Sequence, residues 1–237
     1  MIPPNWASKT PGSWGKLAVW MDLSLATIVL WAVPVVFAIT LHEAAHGYVA
    51  RSFGDRTAEL QGRITLNPLK HVDLVGTILV PGVLILAAKF GGPAFVFGWA
   101  KPVPVNFGNL RNPRRDMLWV AAAGPGSNLA MAVLWALALK LLVASGAGGS
   151  ASALLMAKVG ISVNLVLMAL NLLPVPPLDG GRIAVSLLPL PAARAWARIE
   201  PYGLFIIIGL LAFGVLDDLM EPLLRLAEWL LHTLLGL

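Results

Sequence analysis

Residues 42–46 read His-Glu-Ala-Ala-His, two histidines four positions apart with a glutamate beside the first. On a helix, positions i and i+4 share a face, so both imidazoles reach one metal ion. A glutamate next to the first ligand can hold a water at that metal and act as general base in peptide hydrolysis. Zinc suits the set, because it lowers the pKa of a bound water toward about 7. His42 and His46 are therefore candidate zinc ligands, and Glu43 is the candidate catalytic base. The alternative is a pair of structural histidines near a helix end. It explains less, because three ionisable side chains at the end of an apolar span are costly unless paired or liganded.

A catalytic zinc takes three protein ligands and keeps one position open. The chain has four histidines (His42, His46, His71 and His232) and no cysteine. Disulfides and thiolate sites are excluded, so the metal draws on these histidines and on carboxylates. Asp179 is the best third candidate, in Asn171-Leu-Leu-Pro-Val-Pro-Pro-Leu-Asp179-Gly-Gly-Arg. Pro174, Pro176 and Pro177 break the helix there, and Gly180 and Gly181 allow close backbone approach. An aspartate in such a bend can point back into a bundle. Taken alone it reads as the cap of the next helix; beside a motif that lacks its third ligand it reads as that ligand.

These residues need elements to position them. Of 237 residues, 58% are hydrophobic and 12% charged, against about 25% charged in a soluble domain. Mean hydropathy is +0.80. Several apolar runs approach the ~20 residues of a membrane-spanning helix. The expected fold is an all-α polytopic membrane protein, a transmembrane helical bundle with a small membrane-associated β-element. Residues 1–237 read as one domain, with a core over about 17–190 and C-terminal helices over about 202–237. Residues 1–16 lack the apolar core and cleavage site of a signal peptide. The net charge of +5 fits basic residues flanking membrane segments rather than a nucleic-acid partner.

The first apolar run carries the His-Glu-Ala-Ala-His motif near its end and stops at Gly54-Asp55. The second, residues 75–90, has Val80-Pro81-Gly82 in its middle, which favours a re-entrant hairpin over a full span. The third lies between Met117 and Val143, the fourth over about 154–173, and the fifth over about 202–216. The tail from Pro222 alternates like an amphipathic helix and reads as interfacial, a sixth span being the alternative. If the second run does not cross, the basic loops 51–71, 92–116 and 182–198 share the cytoplasmic side. The uncharged loop 144–153 then faces outward.

His42-Glu-Ala-Ala-His-Gly-Tyr-Val-Ala50, Ala121-Ala-Ala-Gly-Pro-Gly-Ser-Asn128 and Asn171-Leu-Leu-Pro-Val-Pro-Pro-Leu-Asp-Gly-Gly181 follow one another on separate hydrophobic segments. In this order they resemble the site-2 protease family of intramembrane zinc metalloproteases, over about residues 37–185. The resemblance implies zinc, one per chain, bound by His42, His46 and Asp179, with Glu43 as base. It implies cleavage of transmembrane helices in other membrane proteins. Gly-Arg-Ile-Thr-Leu-Asn-Pro-Leu-Lys-His-Val-Asp (62–73) and Gly-Trp-Ala-Lys-Pro-Val-Pro-Val-Asn (98–106) resemble the compact branch, without a PDZ insertion. A bacterial cytoplasmic membrane is the expected location, with the active site toward the cytoplasm.

Other polar residues complete the inventory. The glycines of 121–130 read as close-packing positions between helices. Asn128 is a candidate to orient the metal site or to bind the developing oxyanion, with Asn171 and Asn164 as rivals. Lys101-Pro-Val-Pro-Val105 reads as an edge strand blunted by Pro102 and Pro104, pairing near 58–66. The amides of Val103 and Val105 would then hold an unwound substrate. His71 and Asp73 read as caps of the following segment, and His232 as interfacial. A transporter or channel with a polar midplane site, or a metal-binding scaffold without catalysis, would use the same histidines and acids differently.

Overall fold

A computed structural model describes residues 25–91, 98–145 and 150–236. The expectation for residues 1–16 lies outside these residues. The long helices are α1 (Leu25–Ser52), α4 (Pro113–Ala144), α5 (Ala151–Leu172) and α9 (Val215–Leu235). Between them come α2 (Thr57–Leu60), α3 (Val80–Lys89), α6 (Asp179–Leu187), α7 (Leu190–Ala197) and α8 (Gly203–Ala212). The bundle is built on α1, α4 and α5, each in contact with the other two. Among the described residues, four stretches are long and apolar enough to cross a membrane: Val29–Ser52, Pro113–Ala144, Ala151–Leu172 and Leu190–Ala212. The last is interrupted by a 3-10 turn at Glu200–Tyr202.

Small residues set how closely the helices pack. A Cβ on Gly160 of α5 would collide with the ring of Trp135 on α4. The indole lies flat where a side chain would otherwise stand, which brings the two backbones together. The main core then gathers Ala132 and Ala136 of α4, Leu165, Met168 and Ala169 of α5, and one face of α9. On α9 that face is Leu216, Met220, Leu224, Ala227 and Leu231, a helical stripe.

The C-terminal tail is thus an amphipathic helix whose buried face packs on the bundle. Its last turn is tied to α4 by Lys140 Nζ, which donates to the Leu235 carbonyl at 2.5 Å. The fifth apolar run ends earlier than expected. Gly214 adopts a φ of +72°, a left-handed conformation open to glycine, and turns the chain from α8 into α9. Asp217 and Asp218 then sit in the first turn of α9, where the helix dipole favours negative charge.

Two further expectations change. The second apolar run is one continuous helix, a π turn over Leu74–Leu79 running into α3, and not a hairpin. Its 16 residues reach about 24 Å, short of the ~30 Å hydrocarbon core. Pro81 does not break it. In the π pattern the Gly76 carbonyl would look to the N–H of residue 81, which proline lacks; Trp99 N–H takes that carbonyl instead, at 3.0 Å.

The β-element is also absent among the described residues, which include no strand. The expected partner of residues 101–105 is occupied by α2 and the turns after it. Residues 101–103 are held instead by side chains and by one backbone bond, from Lys101 N–H to the His71 carbonyl at 2.9 Å.

Asp55 locks this membrane-side region to the end of α1. It is fully buried and accepts from Thr57 N–H (3.0 Å), Asn106 N–H (2.7 Å) and Asn109 Nδ2 (3.1 Å). Burial opposes its charge, but these bonds outweigh burial and hold its carboxyl below the usual range. Its stabilisation is therefore complete above the unfolded pKa of about 3.9 and is lost as pH falls through the lower folded value. Asp55→Asn places an amide donor among these donors. It should cost about 1–3 kcal/mol at pH 7. Thermal unfolding in detergent should show the gap to wild type narrowing as the pH drops below about 4.

Candidate metal centre

Two stripes of period four face each other across the α1–α4 contact. On α1 they are Ala38, His42, His46 and Ala50; on α4 they are Val120, Gly124 and Asn128. The helices run antiparallel, so Asn128 meets Ala38 and His42 while Val120 meets His46 and Ala50. Counting from the nearer helix ends, these histidines lie about 9–15 Å inside α1.

The outer nitrogens of both rings are committed to α4. His46 Nδ1 donates to the Val120 carbonyl at 2.7 Å, and His42 Nδ1 pairs with Asn128 Oδ1 at 2.6 Å. A ring that donates from Nδ1 presents a lone pair at Nε2, the state a metal ligand needs. Asn128 is oriented in turn: its Nδ2 donates to the Ala38 carbonyl at 3.3 Å and to Asn164 Oδ1 at 3.0 Å. Asn164 of α5 anchors itself on the Gly160 carbonyl at 2.8 Å. Both amides are fully buried. Asn171, the other candidate, folds its Nδ2 back onto the Leu167 carbonyl at 3.0 Å.

Asp179 completes the group from a third direction. It is the first residue of α6, with Leu178 at the cap position and no capping bond from a side chain. The turn before it, which includes a cis Pro176–Pro177 bond, folds tightly onto the end of α5. A Cβ on Gly180 would run into the carbonyls of Leu172 and Leu173, and one on Gly181 into the Pro176 backbone. Trp196 Nε1 donates to the Pro174 carbonyl at 2.9 Å, and Arg114 Nε to that of Ser186 at 2.8 Å, which fastens α6 and α7 to the rest.

The result is a buried triangle. His42 Nε2 and His46 Nε2 are 3.1 Å apart, and Asp179 Oδ2 is 3.2 Å from each. Among the described residues no protein donor satisfies Asp179 Oδ2, although it is buried. Tetrahedral bonds of about 2.0–2.1 Å separate neighbouring ligand atoms by about 3.3 Å. The donor set and its spacing therefore fit a zinc ion. Each atom can ligate, and an orphaned buried carboxylate oxygen is what such an ion would satisfy.

Glu43 lies beside this triangle, half-buried, with Oε2 accepting from the Val103 N–H at 2.7 Å. The structure thus brings together His42, Glu43, His46, Asp179, Asn128 and Val103, and leaves Asn171 folded on its own helix. Asp73 caps the second apolar helix, accepting from Val75 and Gly76 N–H as expected. His71 is fully buried and its Nε2 pairs with the Thr65 carbonyl at 3.0 Å.

One position that shapes this site escaped the sequence reading. A Cβ on Gly124 would lie 2.5 Å from both His42 Nε2 and His46 Nε2. The bare α carbon is what lets α4 approach the ligand atoms. Small residues are common at helix contacts, so only the spacing to Asn128 hinted at more. Gly124→Ala should weaken zinc binding about tenfold or more, read as zinc retained per chain during titration with a chelator.

No family model matches the chain, and no solved structure matches it significantly. Curated relatives do, among them three that bear the name "Putative zinc metalloprotease". YwhC of Bacillus subtilis is 41% identical over 198 residues, covering 81% of this chain and 84% of YwhC. Rip2 of Mycolicibacterium smegmatis is 30% identical over 185 residues, 77% of this chain and 66% of Rip2. Rip2 of Mycobacterium tuberculosis is 32% identical over 176 residues, 72% and 62% respectively. The similarity to YwhC over four-fifths of the sequence joins the buried triangle of two histidines and an aspartate: this chain belongs to the site-2 protease family of zinc metalloproteases.

Proposed function

We propose that the protein is an intramembrane protease that holds one zinc ion and hydrolyses peptide bonds in or near transmembrane helices of other membrane proteins. The observation that carries this reading is the triangle of His42, His46 and Asp179, buried between helices of membrane-spanning length, with Glu43 alongside.

His42, His46 and Asp179 hold the metal. Bound there, zinc supplies Lewis acidity toward the scissile carbonyl and acidifies the attacking water. Glu43 accepts the proton of that water and delivers it to the leaving nitrogen as the peptide bond breaks. Asn128 and Asn164 act by orientation. Both donors of Asn128 are engaged and its oxygen faces His42, so it serves the ligand rather than the oxyanion.

A helical substrate has no free peptide groups, so it must unwind before cleavage. Val103 and Val105 lie on the irregular segment beside Glu43 and are the backbone against which an unwound stretch would lie. The Val103 N–H is engaged by Glu43, which leaves its carbonyl and the Val105 amide for that pairing. We place the site toward the cytoplasm of a bacterial membrane. Arg51, Arg56, Lys101, Arg111 and Arg115 cluster in segments at the end of the bundle where α1 finishes and α4 begins. The positive-inside tendency supports that orientation.

Purified protein in detergent, with zinc counted per chain and a transmembrane reporter helix as substrate, tests this directly. Glu43→Gln should retain zinc and lose about 10²–10⁴ of the cleavage rate. Asp179→Ala should lose zinc and activity together. Cleavage undiminished in Glu43→Gln sinks the mechanism; ion flux without bound zinc would favour a transport protein.

A further inference from the structure

The hold on Glu43 begins farther away than Val103. Lys101 and Pro102 are gripped from the loop that follows α2. Arg63 Nη2 donates to the Lys101 carbonyl at 2.9 Å and to the Pro102 carbonyl at 3.2 Å. Arg63 is itself buried, and its Nε has no protein partner among the described residues. Among the described residues no carboxylate pairs with it. A buried guanidinium is costly to keep, and both bonds described for this one end on the same short segment.

The Pro102 carbonyl and the Val103 N–H belong to one planar peptide unit, pointing in opposite directions across it. Arg63 bonds one end of that unit, and Glu43 Oε2 accepts from the other at 2.7 Å. Fixing the carbonyl fixes the direction of the N–H. Bonding a cation to the carbonyl also polarises the amide and strengthens the N–H as a donor. Pro102 has no N–H of its own, and the Lys101 N–H is used by the His71 carbonyl. The peptide therefore has little freedom to rotate away.

We propose that Arg63 is a positioning residue for Glu43: acting through the Pro102–Val103 peptide, it aims the carboxylate without touching the metal or the substrate. The inference rests on Glu43 being the base. A carboxylate displaced by about an ångström loses up to a hundredfold in rate, while the ligand triangle, held by α4 and α6, is unaffected.

The test uses the full chain in detergent, a transmembrane reporter helix, and kcat, KM and zinc content for each variant. Arg63→Gln should lower kcat by about tenfold to a hundredfold, with KM and zinc content unchanged. Arg63→Lys, which still donates to a carbonyl, should recover part of the loss. Val103→Pro, which removes the N–H, should lower kcat to a similar extent. The double variant should be no slower than the slower single, because the same hydrogen bond is lost only once. Three results overturn the proposal: a kcat for Arg63→Gln close to wild type, zinc lost in proportion to activity, or a double variant whose loss is the product of the singles. If Val103→Pro does not fold, the comparison of kcat with zinc content in Arg63→Gln decides alone. Wild-type cleavage by Glu43→Gln would instead overturn the reading of Glu43 as base, a result separable from any of these.

Discussion

The close approach of α1 and α4 at Gly124 governs the rest of the site. Two imidazoles one turn apart can share a metal only if their Nε2 atoms converge. That requires both rings to be held from behind at Nδ1. One helix does both jobs: α4 offers the Val120 carbonyl to His46 and the Asn128 amide to His42, one turn to either side of a residue with no side chain. Any bulk at position 124 would push the helices apart and break both bonds at once. Helix packing and the convergence of the two imidazoles are therefore one geometric condition, met by three residues at period four.

That condition explains why so much polarity sits inside an apolar bundle. Asn128 and Asn164 would each be expensive in isolation. Linked from Gly160 through Asn164 and Asn128 to His42, they form a fully bonded chain that reaches across α5, α4 and α1. Gly160 serves it twice, by giving its carbonyl to Asn164 and its bare face to Trp135. The aspartate arrives differently. It depends on a proline-broken turn and on two glycines that let α6 start against the end of α5.

Much of this was legible in the sequence, for identifiable reasons. The histidines advertise themselves because a period of four survives on any helix. Asp179 could be chosen because few acids lie near membrane depth and the prolines around it force a bend. The place of Gly124 was hidden, since a small residue at a helix contact looks the same whether it faces an alanine or a pair of imidazoles. Arg63 was hidden for another reason: bonds from a side chain to backbone carbonyls leave no pattern in the partner's residue types. The strand expected at 101–105 failed because prolines remove donors without supplying a neighbouring strand. The available bonds went to Glu43, Arg63 and His71 instead. The hairpin expected at Pro81 failed because a π turn and the Trp99 amide absorb the missing N–H.

The short second apolar helix has a consequence for the lipid around it. Leu74, Val75, Ile78, Leu79, Val83 and Leu86 are all at least half exposed, so this element turns an apolar surface away from the protein along much of its length. At about 24 Å it falls some 6 Å short of a ~30 Å hydrocarbon layer. Such a mismatch is relieved by thinning the acyl chains beside it or by seating the helix against one leaflet, at a fraction of a kcal/mol per Å. For a helix of this length seated in a bilayer, that adjustment grows with acyl-chain length. Host membranes of different thickness thus present this protein with different local surroundings, although its sequence is the same.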